Sequence, residues 1–229
     1  MQLFLYVVLS GAVGAVRGQT STYDTERQPP WVNEAFFFKY QNAWRAISNT
    51  SVTYTLMKTT YKNVDGYHRD ITCVNVTTTY IHFNPRRVTA KANYRIQGVD
   101  TTANYTIWPV KRKDYNKTYN AVQYEEKEEK SNPNGLCCGP APLPTEGVII
   151  FSDPNTCAVL SVRKGSHFEL WVNAEVRRNV PSCCRFMFEF FARGRRTRYD
   201  VYSKRCEKPG VHWIPYGSNS SSSSNSSRS

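Results

Sequence analysis

The chain has 229 residues, with 30 Lys+Arg against 18 Asp+Glu and a formal charge of +12. Its hydrophobic content of 40% and aromatic content of 14% exclude a disordered chain outside the Ser-rich end. One domain of about 200 residues would bury about 70% of the surface its unfolded chain exposes. The single long uncharged apolar stretch is N-terminal, which excludes a polytopic membrane protein.

That stretch, Leu3 to Val16, runs into small residues, and Val16 and Gly18 suit the −3 and −1 sites of a cut before Gln19. Residues 1–18 are therefore expected to be a secretory signal peptide, since about 14 apolar residues fall short of the about 20 that span a bilayer. Residues 19–32 are a polar lead-in containing Pro29-Pro30-Trp31, and 217–229 form a Ser/Asn tail expected to stay disordered.

Export also fits the cysteines and the sequons. Cys73, Cys137, Cys138, Cys157, Cys183, Cys184 and Cys206 show no C-x-x-C zinc spacing, so they read as disulfide formers. Asn49, Asn75, Asn104, Asn116, Asn219 and Asn225 each open an Asn-x-Ser/Thr glycosylation sequon and place those segments at the surface.

In chain order, Phe36, Tyr40, Ala43/Trp44 and Ile47 recur at helical spacing, so a helix is predicted from Asn33, with Glu34 in its first turn and Ser48-Asn49 ending it. The period then changes to two. Strands are predicted at 53–61, 70–83, 87–96, 101–108, 121–124, 147–151, 156–162 and 168–173, one antiparallel meander closing as a barrel or a sandwich. Pro181 opens a second helix with Cys183, Met187 and Phe190/Phe191 as its apolar stripe and Gly194 as its stop; 197–202 reads as a last strand.

Several short blocks then point to one family. Gln41-Asn42-Ala43-Trp44-Arg45-Ala46 with Thr53-Tyr54-Thr55-Leu56 and Thr59-Thr60-Tyr61 resembles the opening of the tick salivary histamine-binding lipocalins. Asp70-Ile71-Thr72-Cys73, Cys157-Ala158-Val159-Leu160, Glu169-Leu170-Trp171-Val172, Val180-Pro181-Ser182-Cys183-Cys184 and Val201-Tyr202-Ser203-Lys204-Arg205-Cys206 resemble that family's later blocks, in order. The resemblance implies a mainly β fold: an eight-stranded antiparallel lipocalin-like barrel with an N-terminal and a C-terminal helix, over residues 33–216.

It also implies the cysteine pairs. Cys73 would bond Cys206, and Cys157 one of the adjacent pair, Cys184 before Cys183. By the chain-entropy model these closures are worth about 5 and about 3.5 kcal/mol. Cys183 would then turn to Cys137 or Cys138, leaving an odd cysteine in a monomer and room for a covalent dimer.

The family's amine-binding members imply a buried carboxylate for the ligand's ammonium and aromatic faces around it, because a buried cation without a counter-charge is expensive. Glu169 matches such a carboxylate; Tyr67, with Asp65 close by, matches an aromatic contact. Trp44 and Trp171 are further candidate rings, with core packing as the alternative. Two departures argue against an amine: Asn42 where an acid usually precedes Ala-Trp, and the basic Lys111-Arg112-Lys113. The alternative cargo is an anionic eicosanoid, with Arg87, Arg95 or Arg112 meeting its carboxylate.

Other classes find less in the sequence. There is no Gly-x-Ser-x-Gly, phosphate-binding glycine loop or His-Glu-x-x-His, so no enzyme, metal or cofactor is expected. The basic stretch Arg177 to Arg205 makes a polyanion or a host protein an alternative partner; nucleic acid is not expected. The expected work is extracellular, in saliva: sequestration of a small host mediator.

Overall fold

The computed structural model describes residues 31–62, 71–112, 115–127, 146–195 and 197–209. The expected signal peptide and tail, with Asp65, Tyr67, Lys113, Cys137, Cys138, Asn219 and Asn225, lie outside the described residues.

The expected N-terminal helix is broken in two. A short α1 (Glu34–Phe37) runs into a 3-10 turn (Phe38–Tyr40), and α2 (Ala43–Ile47) starts afresh. Gln41 causes the break by turning inward: its Nε2 donates to the carbonyls of Trp31 at 3.1 Å and Ile150 at 2.8 Å, and its Oε1 accepts from the Tyr115 hydroxyl. Asn42 follows in extended conformation (φ −84°, ψ 100°) and caps α2, its Oδ1 accepting the Arg45 N–H at 3.0 Å. Glu34 serves less as a dipole partner than as a clamp. Its carboxylate accepts the backbone N–H groups of Asn116, Lys117 and Thr118, and those bonds hold its pKa below the usual carboxylate value.

The eight strands stand close to the predicted limits: β1 (Thr53–Thr59), β2 (Ile71–Phe83), β3 (Arg86–Ile96), β4 (Val99–Val110), β5 (Ala121–Glu126), β6 (Glu146–Asp153), β7 (Cys157–Val162) and β8 (His167–Asn173). Each pairs antiparallel with the next, β8 returns to β1, and β1 pairs β2, so the sheet closes as a barrel and not a sandwich. The last closure is partial. Thr53–Thr55 meet Thr77–Asn75; beyond them the predicted final strand, shortened to β9 (Tyr199–Asp200), pairs with Lys58 and Thr59. Val201 then bridges the seam: its N–H donates to the Met57 carbonyl at 3.0 Å and its carbonyl accepts the Cys73 N–H at 2.9 Å. The Cys73–Cys206 disulfide, Cα atoms 5.2 Å apart, fixes this strap.

The C-terminal helix α3 (Ser182–Ala192) lies outside the barrel. Its buried stripe is Cys184, Phe188 and Ala192, one position on from the prediction, and Cys183 points to solvent. The Cys157–Cys184 disulfide sets that face. The stripe packs on Ile150, Val159, Phe168, Leu170 and Val172, so the outer faces of β7 and β8 are as apolar as the inner ones. Burying Phe188 alone is worth about 2–3 kcal/mol. Among the described residues, Cys183 makes no disulfide, no group of metal-ligating side chains gathers, and no helix is long and apolar enough to cross a membrane.

Candidate functional site

Alternation along the strands decides what faces the barrel interior. Tyr105 and Ile107 of β4, Val122 and Tyr124 of β5, Ala158, Leu160 and Val162 of β7, and Glu169 and Trp171 of β8 share the inner face, each pair two residues apart. With Tyr54, Val76, Gly147 and Ile149 they enclose a cavity of about 130 Å³, floored by Ala46 and Ile47 of α2. An apolar cavity of about 150 Å³ accommodates a benzene ring, so this one suits a single small ring.

Among the described residues Glu169 is the one carboxyl group on that lining, which carries no Lys, Arg or His, and it is 3% exposed. Its Oε1 accepts the Tyr61 hydroxyl and its Oε2 the Trp171 indole N–H at 2.8 Å. Burial pushes its pKa above the usual carboxylate value, against the opposing pull of those two bonds and of the Arg163 charge. Burial, and then the neighbouring carboxylate, push the Tyr61 hydroxyl well above its ordinary value, so the shared proton stays on the phenol. Tyr61 is itself held between the Arg163 guanidinium, 4.3 Å from its ring centroid, and the His167 ring at 5.3 Å. Burial, reinforced by Arg163, lowers the His167 pKa.

Three more phenols edge the cavity. The Tyr54 hydroxyl donates to the Pro154 carbonyl at 2.5 Å, and burial raises its pKa to about 12. Burial likewise raises those of Tyr105 and Tyr124. Among the described residues the buried Tyr105 hydroxyl has no hydrogen-bond partner, an arrangement that costs free energy until something bonds it.

Of the predicted site residues, the structure brings Glu169 and Trp171 together. Trp44 is not with them: it lies off the lining, its ring 6.1 Å from Phe83 with Arg86 at 5.8 Å. Asn42 is a helix cap, so its missing negative charge says nothing about the cavity. Lys111 and Arg112 of the basic run are off the lining too: Arg112 forms a two-bonded pair with Glu146, and Lys111 reaches the Asn116 carbonyl. Both departures that argued against an amine thus lose their force.

The eicosanoid alternative loses its anchors. Arg95 binds Asp100 at 2.7 Å and the Arg205 and Lys208 carbonyls, Arg112 binds Glu146, and Arg87 is exposed outside the barrel. No cationic side chain lines the cavity among the described residues. Of the sequons, Asn116 is exposed and Asn49 and Asn104 are half-buried. Asn75 is half-buried with both ends engaged, by the Cys73 carbonyl at 3.0 Å and the Thr55 hydroxyl at 2.6 Å.

The sequence reasoning missed Tyr54, Tyr105 and Tyr124, although their parity with Ile107 and Val122 on correctly placed strands was available. Tyr61 left no such signal, because it stands beyond the end of β1.

The sequence comparisons point to one family. The family described as tick histamine binding protein matches residues 31–208. The male-specific histamine-binding salivary protein of Rhipicephalus appendiculatus is 28% identical over 205 residues, 85% of this chain and 94% of the relative. Female-specific histamine-binding protein 1 of the same tick is 28% identical over 186 residues, covering 78% and 88%. Among solved structures, an AM182 serotonin complex shares 18% identity over 74% of this chain and 94% of its own, with a TM-score of 0.43. Japanin from Rhipicephalus appendiculatus, bound to cholesterol, shares 16% over 71% and 98%, with a TM-score of 0.46.

Proposed function

The chain belongs to the tick histamine-binding protein family, and we propose that it is a secreted lipocalin whose barrel takes up one small aromatic amine, histamine or serotonin, and so removes a host mediator at the bite. The observation that carries this reading is Glu169: a carboxylate, 3% exposed, at the wall of an otherwise apolar and phenolic cavity sized for one ring. A ligand ammonium would bring Glu169 a counter-charge from inside the cavity, beyond the Arg163 charge that already acts on it. Trp171 and the phenols offer ring faces for cation–π attraction. The unpartnered Tyr105 hydroxyl offers a hydrogen bond to a ring nitrogen or hydroxyl. The relatives are named for histamine binding, which agrees with a binding role and no turnover.

Sequestration needs affinity well below micromolar, because each protein removes one ligand. Calorimetric titration with histamine and serotonin is the test, with an expected stoichiometry of one at the described cavity. Glu169→Gln should weaken binding by about ten-fold or more, the loss of one charge-assisted hydrogen bond. Absence of binding by either amine, or an unchanged affinity in the variant, overturns the reading. Burial raises the Glu169 pKa in the empty protein and a bound ammonium would lower it again, so amine affinity should fall as the pH is lowered from 7 towards 5.

A further inference from the structure

A second concavity lies on the outside of the barrel, at the end that α2 floors. It is a cleft of about 780 Å³ whose walls include Phe83, Arg86, Arg87, Trp108, Tyr119 and Glu125. The strand alternation that sends Tyr105 and Ile107 inward turns Trp108 outward, and its indole N–H is held by Gln123 at 3.1 Å. The Arg86 guanidinium stands 5.8 Å from both the Trp44 and the Tyr119 ring centroids, and the Lys111 ammonium 5.5 Å from that of Tyr119. Phe83 is 76% exposed at the rim. Neither Arg86 nor Arg87 has a carboxylate partner among the described residues, and the one acid on the cleft wall is Glu125.

The basic stretch from Arg177 to Arg205 is partly neutralised: Arg178 pairs with Glu207 at 3.1 Å and Arg198 with Glu189 at 2.6 Å. Positive charge that is already neutralised attracts an incoming polyanion less than charge left free beside an apolar wall.

We infer that this outer cleft is a binding site for a sulfated glycan. Sulfates would meet Arg86 and Arg87, while the apolar C–H faces of the sugar rings lie on Trp108 and Tyr119. The volume falls within the about 300–1,000 Å³ usual for small-ligand sites, enough for a short oligosaccharide. This site is separate from the amine cavity, which lies on the other face of the sheet, so either can fail without the other.

Binding of the secreted chain to heparin, measured over a range of salt, tests the inference. The expected result is binding at 0.15 M salt that Arg86→Ser/Arg87→Ser weakens at least ten-fold, flattening log K against log salt by about two. Trp108→Ala should weaken it several-fold without changing that slope, and Arg185→Ser/Arg193→Ser on α3 should leave it within two-fold. Circular dichroism and the amine titration establish that each variant is folded. If the double variant is not, the exposed Arg87→Glu alone should weaken binding at least five-fold. Flow-through at 0.15 M salt, a loss confined to the α3 variant, or poly-glutamate competing as well as heparin at equal charge would each overturn it.

Discussion

Glu169 answers to two opposed demands. An empty barrel is more stable with this carboxyl neutral, and an ammonium is bound more tightly with it ionised. Its folded pKa lies above the ordinary value of 4.5, so its contribution to stability is fully present below about pH 4.5 and is lost as pH rises through the folded value. Glu169→Gln should therefore melt with the wild type near pH 4 and above it near pH 8, a divergence that calorimetric scans at the two pH values will register. Tyr61→Phe acts in the opposite sense. It removes a hydrogen bond worth about 1.5–3 kcal/mol to the ionised form, moves the carboxyl pKa further up, and should weaken amine binding by about ten-fold or more at pH 7, with recovery at higher pH. Tyr105→Phe deletes a buried hydroxyl that has no partner among the described residues. Stability should hold or rise by up to about 1 kcal/mol in denaturant unfolding, while amine affinity falls.

At the scale of elements, the strands were legible because their period of two survives on the faces that meet the cavity. Where a strand is covered on both sides, as β7 and β8 are by α3, alternation fades; length and turn residues still bounded them. The first helix was misjudged for a reason periodicity does not contain. Gln41 sits at a helical spacing from Phe38 and Trp44, yet its amide is worth more satisfying the Trp31 and Ile150 carbonyls inside the fold. The same limit applies to α3, where the disulfide to Cys157 selects one of two adjacent cysteines and with it the buried face. Half of the candidate site followed from parity once the strands were right. The other half depended on contacts between distant segments, Tyr61 with Glu169 above all. Gly147 of β6 gives an element-scale test: a Cβ there would stand 2.8 Å from a Leu160 methyl, which must swing into the cavity. Gly147→Ala should thus weaken amine binding several-fold while costing no more than about 1–3 kcal/mol in urea unfolding, as overpacking does.

The barrel wall has two short joins: β5 and β6 share three register pairs, and so do β1 and β2 before β9 and Val201 take over between them, the join that the Cys73–Cys206 disulfide fixes. Cys73→Ser/Cys206→Ser should cost up to about 5 kcal/mol, the chain-entropy value for so long a loop, and should open the wall at the join before the rest unfolds. Hydrogen exchange would read this as early loss of protection at the amides of Val201, Tyr202 and residue 73, with β3–β4 protected to the end.

That join couples residues 133 positions apart in sequence. While the chain is being synthesised, the first two strands stand ready long before the piece that seals them exists, and they present a raw edge for all that time. A barrel built this way is finished only after translation has passed Cys206, and until then its keeping depends on the chaperones and oxidases around it.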